Sequence, residues 1–376
     1  MEKKNMNNKK IDIIIPAYKA HTKIEPLLHS IAMQTIKDDI KVIIINDACP
    51  EGDYQEYVNK FKNYYDIEEI VLNKNGGPGS ARQAGIDNSY NYYIIFADAD
   101  DTFTSAYSLE YLKNGIEENP DAVCCVGGFL EHIKEGYRIP HLDDGTWVFG
   151  KIFKREFLDL YRIKFFPLRS NEDSSFMNFV IEYGTYSNPH GLLAINDFVY
   201  DWHKNDGDSI TTVNNRQFSF DQCLCGMVEG SLLTLKQFKN QNIISKIKIE
   251  NLFIKNLISL YINYNVILSN GPEFVEQAWY YIRKYYFEGL KLIEKEEINE
   301  IDYKEKIFMM LSYAHSQDGL LYKENVVECM TFKNFLNELK DSNFNPNEIK
   351  EIHKKLSDEI KQNNIKTGAV AADYYN

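Results

Sequence analysis

No stretch of this chain is apolar for the ~18 residues that a membrane-spanning helix requires, so contact with a membrane is expected only at its surface or through a partner. A secretory leader is not expected either. The start, MEKKNMNNKK, is polar and lysine-rich, and the apolar run behind it, IDIIIPAY, is interrupted by Asp12 and Pro16. Residues 1–10 are expected to be a disordered extension. Positive charge is outnumbered as well, with 42 Lys and Arg against 55 Asp and Glu. A formal charge of −13 excludes broad electrostatic capture of DNA or RNA, so nucleic acid is not an expected partner. The six cysteines show no paired metal-ligand spacing: Cys124 and Cys125 sit in the apolar AVCCVGG, and Cys49, Cys223, Cys225 and Cys329 stand in isolated settings. Buried free thiols in a reducing cytoplasm are expected.

What is present is a globular composition. With 376 residues and 44% hydrophobic content, the chain can bury one large core and a smaller one. Its first half alternates short apolar runs with amphipathic stretches. IDIIIPAY is followed by a helical pattern through Ile24, Leu27, Leu28 and Ile31, and KVIIIND by one through Tyr57 and Phe61. EEIVLN, YYIIFAD and DAVCCVGGF continue the rhythm, with a helix expected over 79–89. An α/β domain with a mainly parallel sheet flanked by helices follows. In such sheets ligands bind beyond the carboxyl ends of the strands, which directs attention to Asp47 and Asp98.

From about residue 216 the pattern changes to helical stripes: Phe253, Leu257, Leu260, Tyr264 and Ile267, then Val275, Trp279, Ile282, Tyr286 and Ile293. Further helices are expected through Leu311 and Tyr313, Phe335 and Leu339, and Ile349 to Ile360. The expected organisation is therefore a domain over 11–216, a helical region over 217–363 and a flexible tail over 364–376. Packing between helices accounts for the aromatic stripes more simply than an acceptor groove or a dimer face, and self-association is expected to use the helical region.

Chemistry is concentrated in a few segments. In FADADD an apolar strand runs into Asp98, Asp100 and Asp101, carboxylates that repel one another unless hydrogen bonds or a hard cation such as Mg2+ or Mn2+ hold them. NGGPGSARQAG is a glycine-rich turn opening a helix, with Gly77 and Arg82 placed to favour an anion; it has neither Walker nor dinucleotide spacing. Asp47 offers a hydrogen-bond acceptor to a base or ribose, or caps a helix. Glu172 and Asp173 in SNEDSSF stand at a helix start, where acidic residues are favourable in any case, and either could also act as a base. VYDWHKNDGDSIT places Trp202 and His203 before a turn, and a lone histidine is more often structural than a ligand.

Taken in order, these segments resemble glycosyltransferase family 2, the inverting enzymes of GT-A fold, over roughly Lys10 to Thr212. IIPAYKAHTKIEPLLHSIAMQT is similar to that family's first strand and helix, VIIINDACPE to its second strand, NGGPGSARQAGI to its glycine-rich segment and FADADD to its DxD. GKIFKREFL with NEDSSFM resembles the acceptor side, and VYDWHKNDGDSIT the closing segment. The resemblance implies a Rossmann-like domain with an α-helical C-terminal region. It implies donor contacts at Pro16, Ala17, Tyr18, Asp47, Gly77, Arg82 and Asp98, a metal, Mn2+ or Mg2+, on Asp100 and Asp98 with His203 as a third ligand or an acceptor contact, and Asp173 as catalytic base beside Glu172. The chain departs from the pattern at Ala48, Cys49 and Pro50, where small polar residues are usual. It also has Lys19 and Gln83 where asparagine is common, and His203 where arginine is typical.

The implied activity is transfer of a sugar from a nucleotide diphosphate donor, UDP-linked by expectation, to a hydroxyl acceptor in glycan, polysaccharide or glycolipid synthesis. The location is cytoplasmic or peripheral at the inner face of the membrane. Three alternatives share the fold: a non-catalytic sugar-nucleotide or glycan-binding protein, a nucleotidyltransferase, and a glycosyltransferase acting on modified DNA bases.

Overall fold

The computed structural model describes residues 10–133, 136–203, 216–270, 275–316 and 330–341. The chain divides into two compact units, Met1–Val213 and Asn214–Asn376. The stretch 1–9, residues 204–215, the helix expected over 349–360 and the tail 364–376 lie outside the described residues.

The first unit opens with β1 (Ile11–Ala17), α1 (Ile24–Ala32), β2 (Ile40–Asn46), α2 (Gln55–Phe61), β3 (Asp66–Val71), α3 (Gly77–Asp87) and β4 (Tyr93–Phe96). It continues with β5 (Thr102–Phe103), α4 (Ser108–Glu118), β6 (Cys124–His132), β7 (Arg138–His141), β8 (Lys151–Lys154), α5 (Arg155–Leu160), α6 (Glu172–Ser187) and β9 (Leu192–His203). The nine strands form one sheet in the order β3-β2-β1-β4-β8-β6-β9-β5, with β7 paired to β6. β3, β2, β1 and β4 are parallel, as helical crossovers between them require. Beyond β4 the sheet is mixed: β8 runs antiparallel to both β4 and β6, while β6 and β9 are parallel. The chain reaches β8 from β6 without a crossover helix, so it can return only in the opposite direction.

Period-two alternation in β1 sorts the two helical layers. Ile11, Ile13, Ile15 and Ala17 join the core shared with Leu27 and Ile31 of α1, Phe61 of α2 and Leu112 of α4. Ile14 points the other way, towards α3, where its Cγ2 occupies the space a Cβ on Gly85 would take, at 2.2 Å. The same face carries a ring cluster in which Phe165 stacks on Phe176 of α6 at 4.2 Å and Phe96 of β4 meets both. Asp12, the polar interruption of the first apolar run, is fully buried. Its carboxylate accepts the backbone N–H groups of Tyr90 and Asn91 and the Asn91 amide at 2.7–2.8 Å, which satisfies it.

The second unit is helical: α7 (Arg216–Gln241), α8 (Lys246–Asn270), α9 (Val275–Ile293), α10 (Lys304–His315) and α11 (Phe332–Lys340). The expected stripes are its core, because Tyr264 packs on Trp279, Trp279 on Phe335, and Phe253 stacks on Tyr285. Tyr313, by contrast, is exposed. Among the described residues no helix is long and apolar enough to cross a membrane.

Candidate active site

The polar residues ending β1, β2 and β4 emerge at one edge because these strands are parallel and in register, with Pro16 opposite Ile45 and Ala17 opposite Asn46. The crevice lies where the chain order reverses, between β1 and β4. Ala17 holds its place through its carbonyl, which accepts Asp47 N–H at 3.0 Å. Tyr18 stands 45% exposed beyond it.

Asp47 is not directed at open space. Its two carboxylate oxygens accept the N–H groups of Gly76 and Gly77, each at 2.8 Å. The anion that the N-terminus of α3 favours is thus supplied by the chain itself, from the end of β2. Gly77 has φ +80°, a conformation costly for any side chain. Gly79 serves close approach: a Cβ there would stand 2.3 Å from the Phe166 carbonyl oxygen and 3.1 Å from Cβ of Glu172. The glycines of this turn therefore bring the segment before α6 against α3.

That approach completes the central feature. Arg82, in the middle of α3 and 94% buried, donates from Nη2 to Asp98 Oδ1 at 2.6 Å and from Nη1 to Glu172 Oε1. Burial alone would lower the guanidinium's proton affinity, yet Asp98, Glu172 and Asp173 together hold it above its ordinary value. Its Nε is buried and makes no hydrogen bond among the described residues. One arginine from α3 therefore links the end of β4 to the start of α6.

Neighbouring carboxylates at α6 are sorted by this contact. Glu172 is buried as the arginine's partner, while Asp173 is half-buried and accepts its neighbour Ser174 N–H at 2.7 Å. Burial, followed by repulsion from Glu172, pushes Asp173 up to about 7, against the opposing pull of Arg82. Two adjacent acids with different environments are a common basis for dividing structural and proton-transfer roles.

The FADADD turn is divided in the same way. Asp98 is engaged by Arg82, and its backbone N–H donates to the Tyr200 hydroxyl at 2.8 Å. Asp101 faces inward, accepting from Tyr200 Oη at 2.9 Å and from His203 N–H at 2.8 Å. Burial, then Asp98 and Asp100, raise Asp101 well above the usual carboxylate range. Asp100 is half-buried. Asp98, Asp100 and His203 do not bring three ligand atoms within 4.8 Å of one another. The His203 Nε2 lies 3.1 Å from Thr102 Oγ1, and its ring packs 4.3 Å from that of His132, whose Nε2 meets Asp201 Oδ1 at 2.7 Å. Burial and His132 lower the proton affinity of His203.

Residues that sequence patterning did not single out complete the site. Tyr200 ties the metal-type turn to β9, and its only signal was a place in the segment VYDWH. Lys151 on β8 is fully buried and donates to Phe149 O at 3.4 Å; burial pushes its amine down to about 8. Of the cysteines, Cys124 and Cys125 are buried as expected, but Cys49 and Cys225 are only half-buried. Cys329 and the side chain of Cys223 lie outside the described residues.

Residues 12–172 match the model of the family described as glycosyl transferase family 2. The chain is similar to the putative glycosyltransferase EpsH of Bacillus subtilis, with 25% identity over 189 residues, 44% of this chain and 52% of that protein. It is similar also to the poly(ribitol-phosphate) beta-N-acetylglucosaminyltransferase TarS of Staphylococcus aureus, with 30% identity over 94 residues, 24% of this chain and 16% of TarS. The chain thus spans about half the length of the first of these relatives and less of the second. In three dimensions it resembles the crystal structure of S. aureus TarS 1-349 in complex with UDP-GlcNAc, with a TM-score of 0.62 and 16% identity over 94% of this chain and 92% of that one. The fold is GT-A, followed by a helical C-terminal region.

Proposed function

From the premise that residues 12–172 form a glycosyltransferase family 2 domain, we propose that this chain transfers a sugar, with inversion, from a nucleotide diphosphate donor to a hydroxyl acceptor. The observation that carries the proposal is the bridge from Asp98 through Arg82 to Glu172, which sets a raised-pKa Asp173 beside the acidic turn that ends β4. Asp173 takes the proton of the acceptor hydroxyl as that oxygen bonds to the anomeric carbon. The bond from that carbon to the diphosphate oxygen breaks, and its electron pair leaves with the nucleoside diphosphate. Glu172 cannot share the role while it serves as the buried counter-ion of Arg82.

Asp98 and Asp100 offer hard oxygen donors at the strand end, and Asp101 is occupied from within by Tyr200 and His203, so the pair suits Mg2+ or Mn2+. A bound cation would offset the charge developing on the departing diphosphate. Asp100 is assigned as the principal ligand. His203 would join through Nε2 by exchanging its contact with Thr102. Tyr18 and the loop after Asp47 are assigned to the border of the donor's base. A UDP-linked donor is supported by the fold shared with a protein crystallised with UDP-GlcNAc, and a cell-surface polymer acceptor by the name of TarS.

The test is thermal unfolding with a panel of nucleotide sugars, with and without Mn2+, followed by analysis of the released product. A ligand at 100 times its dissociation constant stabilises by about 2.7 kcal/mol. Metal-dependent stabilisation by one donor, with release of nucleoside diphosphate, is expected. Release of pyrophosphate would mark nucleotidyl transfer instead, and binding without turnover would mark a sugar-nucleotide-binding protein.

A further inference from the structure

Outside the acidic site, the loops that follow β1 and β2 bring together three side chains of metal-ligating type. One ligand atom each from His21, Cys49 and Glu51 lies within 4.8 Å of the other two. We propose that these residues form a binding site for a thiophilic divalent cation, Zn2+ by its chemistry, separate from the carboxylate site at Asp98 and Asp100.

The argument begins with the histidine tautomer. His21 Nε2 lies 2.9 Å from the Asp53 carbonyl oxygen, which can only accept, so this nitrogen carries the proton. Nδ1 then presents a lone pair. It is buried and makes no hydrogen bond among the described residues, and a carboxylate oxygen, Glu51 Oε2, stands 3.4 Å away. Two ligands about 2.1 Å from a tetrahedral ion stand about 3.4 Å apart. The His21 and Glu51 atoms are thus already at the separation of two tetrahedral zinc ligands.

Two of the three ligands, His21 and Cys49, also have outer support of the kind found around metal sites. The His21 ring stacks on Tyr54 at 4.1 Å. Lys19 N–H donates to Cys49 Sγ at 3.2 Å, and Cys49 N–H donates to Asn46 Oδ1 at 2.8 Å. Lys19 and Ala48 both adopt left-handed conformations, with φ of 53° and 52°, to hold these loops in place. An imidazole, a thiol and a carboxylate favour zinc over the hard ions suited to an all-carboxylate site. A bound ion would clamp the β1 loop, which carries Tyr18, to the β2 loop, which carries Asp47. The inference does not depend on the proposed sugar transfer.

Substitution by Co2+ tests it. The full chain, reduced, freed of metal and kept in excess Mg2+, would be titrated with Co2+ while near-ultraviolet sulfur-to-cobalt charge-transfer absorption is recorded. The band should saturate at a single equivalent, disappear on addition of Zn2+, persist in Mn2+, and be lost in Cys49→Ser and His21→Ala. Glu51→Gln should weaken Co2+ by at least the ~10-fold that loss of an outer-shell partner costs. A second measurement needs no variant: Zn2+, and not Mn2+, should slow alkylation of Cys49 in the wild-type chain, read by mass spectrometry of the Cys49 peptide. No charge-transfer band, a band that survives in folded Cys49→Ser, or alkylation indifferent to Zn2+ would overturn the proposal, leaving His21 paired with Glu51 alone.

Discussion

Arg82 and Glu172 are 90 positions apart in the chain, yet they form an ion pair in which both side chains are 94% buried. The pair joins α3 to α6, and the second arm of the same guanidinium reaches Asp98 on β4. Removing one partner of a buried ion pair leaves an uncompensated charge, which costs about 3–5 kcal/mol. Arg82→Met should therefore destabilise the protein by about that amount in urea unfolding. Arg82→Lys keeps the charge but not the fork, so its effect should be smaller.

Turnover should separate Asp173 from Glu172. Asp173→Asn should lower kcat by about 10²-fold or more, the usual size of a general-base effect, with donor affinity nearly unchanged. Wild-type turnover in this variant would remove Asp173 from the role of base. Because the base works deprotonated and its pKa is raised to about 7, wild-type kcat should fall as pH drops below about 7.

The same shift has a consequence for stability. Between the ordinary aspartate value of 3.8 and about 7 the folded state holds more protons on Asp173 than the unfolded state does. Stability from this group is therefore full below the lower value and declines as pH rises to the upper one. Denaturation midpoints measured from pH 4 to pH 8 should show a shallower decline for Asp173→Asn than for wild type; parallel curves would contradict the assigned shift.

Tyr200 serves two partners with one hydroxyl, accepting from Asp98 N–H and donating to Asp101. Tyr200→Phe leaves Asp98 N–H without this partner while Asp101 keeps His203 N–H, and one unsatisfied buried group costs about 1–3 kcal/mol. A loss in that range is expected by chemical denaturation, together with weaker Mn2+ dependence of donor binding, since the turn carrying Asp100 loses its anchor.

Gly79→Ala should act through the backbone. The new Cβ would meet the Phe166 carbonyl oxygen at 2.3 Å, and a main-chain atom cannot rotate aside. Overpacking of this kind costs about 1–3 kcal/mol, and it should displace the segment leading to Asp173. Activity should fall further than the stability loss explains. Gly145→Ala, where the nearest atom is the mobile Cδ1 of Ile181 at 3.3 Å, is the control.

Some of this was legible in the sequence because it is local. The apolar runs that became β1, β2 and β4 are strands buried at all but Pro16 and Lys41, and the polar residues that follow mark the edge where Asp47 and Asp98 stand. Asp47 was read as either a donor contact or a cap, and periodicity could not choose between them. Its partners, Gly76 and Gly77, lie on another loop. For the glycines, sequence suggested an anion cradle, and the structure adds a second demand, room for the 166–168 backbone. β8 was hidden because KIFK is too short to show alternation, and its antiparallel pairing with β4 depends on how the chain returns from β6.

By itself the sequence determined the sites of burial and punctuation: which runs are apolar, where carboxylates end them, and which helical stripes form the second core. These follow from side-chain polarity at the spacing of a strand or a helix turn, and need no knowledge of distant neighbours. Tertiary structure alone decided which charge meets which. Arg82 pairs with Asp98 and Glu172, Tyr200 with Asp101, and His21 comes to Cys49 and Glu51. Such partners are separated along the chain by strands and helices, so their meeting depends on strand order and on the close approach that Gly79 permits.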